Sequence, residues 1–130
     1  MLKAFNLPNL DQIGTALIEY LDGRGLLDST LVVIMGEMGR APKVNPSAGR
    51  DHWPQCGFAL LLGGGVKEGF VLGASDKLGA YPTDHPVSPG DLVATIYHLL
   101  GIDPNLTVPD LTGRPIAIAH GGQPIHAILA

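Results

Sequence analysis

The sequence predicts an α/β fold, with a mostly parallel sheet and flanking helices. Two observations predict it. First, Leu31-Val32-Val33-Ile34-Met35 and Phe58-Ala59-Leu60-Leu61-Leu62 are continuous apolar runs. They lack the polar alternation of half-exposed strands and suit strands covered on both faces. Second, two stretches carry apolar residues at helical spacing, which supplies the covering layers.

Taken in order, residues 1–8 read as an incoming connection. Asn9 is placed to cap a helix, with Gln12 three residues on. Leu10, Ile13, Leu17, Ile18 and Leu21 then form one stripe, so a helix is predicted from about Leu10 to Asp22. Gly23 and Gly25 end it, and Arg24 suits the helix dipole there. Asp28-Ser29-Thr30 turns the chain into the first apolar run. The second run stops at Gly63-Gly64-Gly65, read as a tight turn or close backbone approach. A phosphate cradle is the lesser reading, because no Lys-Ser/Thr pair follows. Val66–Leu72 reads as an edge or hairpin-like segment, and 73–86 as a polar loop. Ser88, Pro89 and Asp91 mark the start of a second helix. Its buried stripe is Leu92, Thr95, Ile96, Leu99 and Leu100, and Gly101 ends it. A loop with three prolines leads to a last short strand at Ile116-Ala117-Ile118, and residues 119–130 are expected to form a flexible tail.

The 130 residues fit a single domain. Hydrophobic residues make up 45%, which supports a folded chain. Charged residues make up only 15% against about a quarter in typical domains, so part of the surface is expected to be covered by more protein or a partner. With a net charge of −4 there is no basic footprint for nucleic acid. No window is long and apolar enough for a membrane span, and no signal-peptide pattern opens the chain. Cys56 is the single cysteine, so no internal disulfide forms and the redox compartment stays open.

The chemistry-bearing stretch is Thr30–Pro54. Glu37, Arg40, Lys43, Asp51 and His52 make it the densest ionisable cluster of a charge-poor chain. It leaves the carboxyl end of a predicted strand, where ligands bind in open α/β sheets. Glu37 and His52 are candidate metal ligands, of types that zinc, manganese or iron accepts. The bland alternative pairs Glu37 with Arg40 or Lys43 and leaves His52 capping a turn against Trp53. Arg40, Lys43 and Arg50 are candidates for holding an anionic group, or are ordinary surface charge. Among the other histidines, His85 is the better candidate because it lies in a loop beside Asp84. His98 reads as a helix-side hydrogen bonder, and His120 and His126 as tail residues. No Gly-x-Ser-x-Gly elbow or His-Glu-x-x-His motif is present, and no residue stands out as a nucleophile.

The segments LPNLDQIGTALIEYLDGRGLLDSTLVVIMGEMGR, GRDHWP, GGGVKEGFVLGASDKLGAYP and SPGDLVATIYHLLGIDP together resemble one bacterial family. It is an uncharacterised, sulfatase-like domain-of-unknown-function family of the alkaline phosphatase superfamily, abundant in planctomycete-type bacteria. The resemblance runs from about Leu7 to Pro115. It implies a partial alkaline-phosphatase/sulfatase-like sandwich and a metal-dependent hydrolase of sulfate or phosphate esters. Carried over by position, it implies Glu37 and His52 as ligands of a divalent ion (zinc, manganese, calcium or magnesium), with Asp51 orienting His52. Arg40, Lys43 and Arg50 would face a small anionic ester. Met38 falls where the superfamily often has a His or Asn ligand, and a thioether suits a hard cation poorly.

The resemblance further implies that the nucleophile lies upstream of this region. The chain is then expected to be the C-terminal part of a longer, exported protein, inactive alone and partnered by the missing N-terminal part of the same domain. The rival expectation, favoured by Met38, is a non-catalytic binding or structural protein that retains the fold.

Overall fold

A computed structural model of the chain describes residues 2–130. A single π-type turn, Leu2–Asn6, leads into α1, Leu7–Asp22. Pro8 lies in its first turn, where a missing N–H breaks no helical bond. The helix therefore starts ahead of the Asn9 cap read from the sequence, with Asn6 at the N-cap and no side-chain capping bond. At the far end Leu26 N donates to Leu21 O at 2.9 Å around a left-handed Gly25, which closes the helix.

Residues 32–62 fold as one long arm. β1 (Val32–Met35) pairs antiparallel with β4 (Ala59–Leu62), from Val32 opposite Leu62 to Met35 opposite Ala59. Nested inside, β2 (Gly39–Arg40) pairs with β3 (His52–Trp53), and residues 41–51 form the tip. The predicted mostly parallel sheet is thereby corrected: every ladder among the described residues is antiparallel and two-stranded. Parallel neighbours need a crossover, usually helical. The connection from β1 to β4 holds no helix and doubles back on itself, so the chain returns antiparallel. The apolar runs signalled strands, but they carry no information on strand direction. They are also not covered on both faces here, since Met35 is 52% and Leu60 46% exposed.

After β4, the three glycines at 63–65 all take positive φ. A side chain at Gly63 would overlap the Leu27 carbonyl, and one at Gly64 would crowd Leu31. The run is the close backbone approach of the simpler reading. The polar loop contains a short ladder, β5 (Ala74–Ser75) with β6 (Pro82–Asp84). Asp76 closes its turn by accepting the Leu78 and Ala80 N–H groups at 3.0 and 2.8 Å.

The second helix, α2 (Pro89–Leu99), starts as read from the sequence: Ser88 and Asp91 form a reciprocal capping box behind Pro89. It carries Leu92, Ala94 and Thr95 into the core, where Ala80, Ala119 and Ile128 also lie. Beyond it, β7 (Thr107–Pro109) and β8 (Pro115–Ala117) form a hairpin whose turn is held by Asp110. Thr112 and Arg114 both bond its carboxylate.

The 119–130 segment differs from the flexible tail expected. Ala119 is fully buried. Gln123 N donates to Asp91 Oδ1 at 2.9 Å, and Ile125 N to Thr95 Oγ1 at 2.9 Å. Val66 bridges Leu129, so 66–72 is not a self-contained hairpin. Lys67 N donates to Ile128 O, and Ala130 N to Gly65 O. The glycines and prolines shape a docked path. Among the described residues no helix is long and apolar enough to cross a membrane.

Thr95 is completely buried, and its hydroxyl both donates to Asp91 O at 2.7 Å and accepts from Ile125 N. Thr95→Val keeps the shape but leaves the Ile125 N–H unsatisfied. It should lower unfolding stability by about 1–3 kcal/mol, read from urea titration, with Thr95→Ser much closer to wild type.

Three carboxylates set an acid limit. Asp91 is held below its ordinary range by the Gln123 N–H and the Ser88 hydroxyl, and Asp76 by the Ala80 N–H. Asp110 is lowered to about 2, chiefly by the Thr112 hydroxyl and the Arg114 N–H. Carboxylates depressed in the fold contribute stability above the unfolded value of about 3.9, and it is lost as pH falls through the folded values. Thermal midpoints should therefore hold level from pH 7 to about 5 and fall from about pH 4 towards 2. Asp91→Asn should make that fall shallower.

A candidate anion-binding loop

The loop that carries the sequence-predicted site is built on a tight backbone crossing. A side chain at Gly39 would overlap the Cys56 carbonyl oxygen, so only glycine lets β2 lie against the segment that follows β3. The register then sets Arg40 opposite His52 and Gly39 opposite Trp53. Side chains alternate along a strand, and the exposures follow: Trp53 is half-buried and His52 exposed.

Trp53 fixes that alternation. Its indole Nε1 donates to Ala80 O at 2.6 Å, and its ring meets Tyr81 edge-on at 5.8 Å. Ala80 is itself held by Asp76, so the site arm is fastened to the 76–81 turn. With Trp53 committed inward, His52 is presented outward beside Arg40.

The tip is organised by Asn45, a residue the sequence reading passed over. Its Oδ1 accepts Ser47 N at 3.1 Å and Gly49 N at 2.9 Å, and its Nδ2 donates to Asp51 Oδ1 at 2.9 Å. An Asn beside Pro and Ser was the available signal, because Asn side chains close turns on their own backbone. Asp51 is therefore engaged with Asn45, and no hydrogen bond joins it to His52 among the described residues. Arg50 folds back as well, donating from Nη1 to Ala41 O at 2.8 Å and to Pro42 O. It braces the tip, and that nitrogen is taken.

Glu37, Arg40 and Lys43 are exposed, and none forms a salt bridge among the described residues. The expected internal pairing of Glu37 with Arg40 or Lys43 is therefore not formed. Lys43 and Asp51 line an open cavity of ≈ 450 Å3 with Ala41, Val44, Asn45 and Pro46. The structure thus joins Arg40 to His52 across a ladder and sets Lys43 at the adjoining cavity, while Arg50 and Asp51 hold the tip in shape.

The divalent ion implied by the resemblance is a harder match. Among the described residues no group of three or more His, Cys, Asp and Glu side chains gathers in a way that could hold a metal. Glu37 and His52 supply at most two protein donors, against three or four in zinc sites. Among the described residues the donor set is therefore incomplete for a metal ion.

Elsewhere, His85 Nδ1 lies 2.8 Å from Asp84 Oδ1, and His85 takes a φ of 39°. Both side chains are well exposed. His98 and His126 meet edge-on with ring centroids 5.5 Å apart, a pairing that needed the docked C-terminal segment and was invisible in sequence.

A family model described as a protein of unknown function (DUF1501) matches residues 3–129. No curated protein and no solved structure matches the chain.

Asn45→Ala should loosen the tip without unfolding the chain. Amide exchange at Ser47 and Gly49 should quicken by about tenfold or more, the loss of roughly 1–2 kcal/mol of local stability. Exchange in α2 should not change. Gly39→Ala should act on the whole arm, since the crossing cannot admit a methyl group. Its cost should reach at least about 3 kcal/mol in chemical denaturation.

Proposed function

The chain belongs to the DUF1501 family, matched over nearly its whole length, and on that footing we propose that it is the anion-binding C-terminal portion of an ester hydrolase acting on sulfate or phosphate esters. The observation that carries this reading is the pairing of Arg40 with His52 at the base of a braced loop, with Lys43 beside an open cavity. Arg40 and Lys43 form no salt bridge among the described residues. Their N–H groups are free to form charge-assisted bonds with sulfate or phosphate oxygens. Glu37 follows β1, Lys43 follows β2 and His52 opens β3, so all three lie on the projecting arm between β1 and β4.

In this reading Arg40 and Lys43 bind and orient the ester and stabilise negative charge building on its oxygens. His52 stands across the ladder as a donor or ligand. The nucleophile and any remaining metal ligands come from outside these residues, so the relation to sulfatases and the alkaline phosphatase superfamily rests on the resemblance and the loop chemistry. A second reading, a binding or structural protein without catalysis, is favoured by one observation: with Met38 beside it, Glu37 has too few companion donors for a metal.

Inorganic sulfate or phosphate titrated into the chain should bind weakly. Arg40→Ala with Lys43→Ala should raise Kd by about 10- to 100-fold, the loss of two charge-assisted contacts. Arg50→Ala should act mainly on tip stability. The isolated chain should not turn over an aryl sulfate or aryl phosphate. Anion binding indifferent to the double substitution would remove the basis of the reading.

A further inference from the structure

The surface of this chain is too large for its mass. A compact monomer of 13.6 kDa exposes about 6,600 Å2, whereas this chain exposes 9490 Å2. The excess of about 2,900 Å2 is several times the roughly 800 Å2 that one partner contributes to a standard interface. Many large apolar side chains are exposed. α1 has no buried residue, and Ile13 on its stripe is 68% exposed.

The register shows where a partner would go. Ile34 and Leu60 are cross-strand partners, and Val32 and Leu62 are another such pair two residues along, so all four share one sheet face. Ile34, Leu60 and Leu62 line an open groove of ≈ 890 Å3 whose opposite wall is α1, through Leu7, Leu10 and Ile18. The groove's lining is overwhelmingly apolar. Beyond it, β1 and β4 each have one outer edge. No backbone hydrogen bond satisfies either edge among the described residues, and unpaired strand edges seek another strand.

We propose that this face is an obligate docking surface for a strand-bearing apolar polypeptide layer. The partner adds a strand to the outer edge of the β1–β4 pair and fills the groove beneath α1. A small apolar ligand fits the groove but would cover only a fraction of the excess area. The sheet side of the groove offers a charged partner no counter-charge, because the ionisable residues that line it, Lys3, Asp11 and Glu19, lie on the helical side. The identity of that layer as the remainder of the same hydrolase domain rests on the function proposed above; the surface and the chemistry of its partner do not.

The test uses the whole chain, with a hydrophobic dye, light scattering after size exclusion, and amide exchange. The probe is a synthetic strand peptide of alternating valine and threonine flanked by lysines. Wild type should enhance dye fluorescence by about tenfold or more over a typical native protein, associate with rising concentration, and exchange rapidly along the outer edges of β1 and β4. The peptide should slow that exchange and displace dye, whereas the same peptide N-methylated on alternate residues should do neither. Ile13→Lys with Leu60→Lys, both at exposed positions, should abolish dye binding and association while α2 stays protected. A monomer that binds little dye would overturn the proposal, as would a peptide without effect. A discrete dimer with both strands protected would overturn it too, by making a second copy the occupant. Sulfate titration on Arg40→Ala with Lys43→Ala reads the loop separately, so either idea can fail alone.

Discussion

One buried hydroxyl ties the second helix to the C-terminal segment. Thr95 sits on α2, donates to a carbonyl of its own helix and receives the Ile125 N–H. One turn earlier Asp91 both caps the helix and receives the Gln123 N–H. Together they convert a glycine- and proline-bearing terminus into a wall of the core, against which Ala119 and Ile128 are buried. The last residues then reach back to Gly65, Val66 and Lys67. Because the core consists of few and mostly small side chains, these polar ties carry an unusual share of the tertiary order. A buried N–H left unsatisfied costs more than a bond adds, which makes the Thr95 contact both stabilising and specifying.

The candidate site depends on that core at one remove. The arm from β1 to β4 projects a charged tip, and its inner ladder is fastened by the Trp53 indole to Ala80. Ala80 is in turn gripped by the Asp76 turn and buried. His52 is thus oriented by its neighbour in sequence: what Trp53 does inward determines what His52 does outward. The Asn45 hub and the Arg50 brace perform the same service for the tip. Of six residues singled out by their chemistry, Arg50 and Asp51 turn out to shape the loop, leaving Glu37, Arg40, Lys43 and His52 to face solvent or a ligand.

What could be read from sequence divides along physical lines. The start of α2 was legible to the residue, because Ser88, Pro89 and Asp91 act through bonds spanning three positions. The two apolar strands were legible for the same reason, as local composition. Strand direction was not, because it depends on how residues 36–58 return, and nothing in Val32–Met35 records that. The start of α1 was misread because two polar residues, Asn6 and Asn9, compete for the cap and Pro8 between them decides. The tail was misread because glycine and proline raise mobility only where no partner waits, and Asp91 and Thr95 are 32 and 30 residues away from theirs. The loop's ionisable cluster was visible, but the division of labour within it required the register of a two-residue ladder.

The open apolar face and the unsatisfied loop charges are two expressions of one condition. A strand pair with no further neighbours leaves its faces wet, and Met35 and Leu60 show it. On the same projecting arm Arg40 and Lys43 form no salt bridge among the described residues, although Asp51 shares the Lys43 cavity. Covering the sheet would exclude water from the base of the arm, and charge-assisted bonds strengthen as the local dielectric falls. On the function proposed above, docking of an apolar layer and anion binding should be coupled in sign: the covered arm should hold an anionic ester more firmly than the bare one. The weak binding predicted for the isolated chain would then follow from the exposure of its sheet as much as from the residues at its tip.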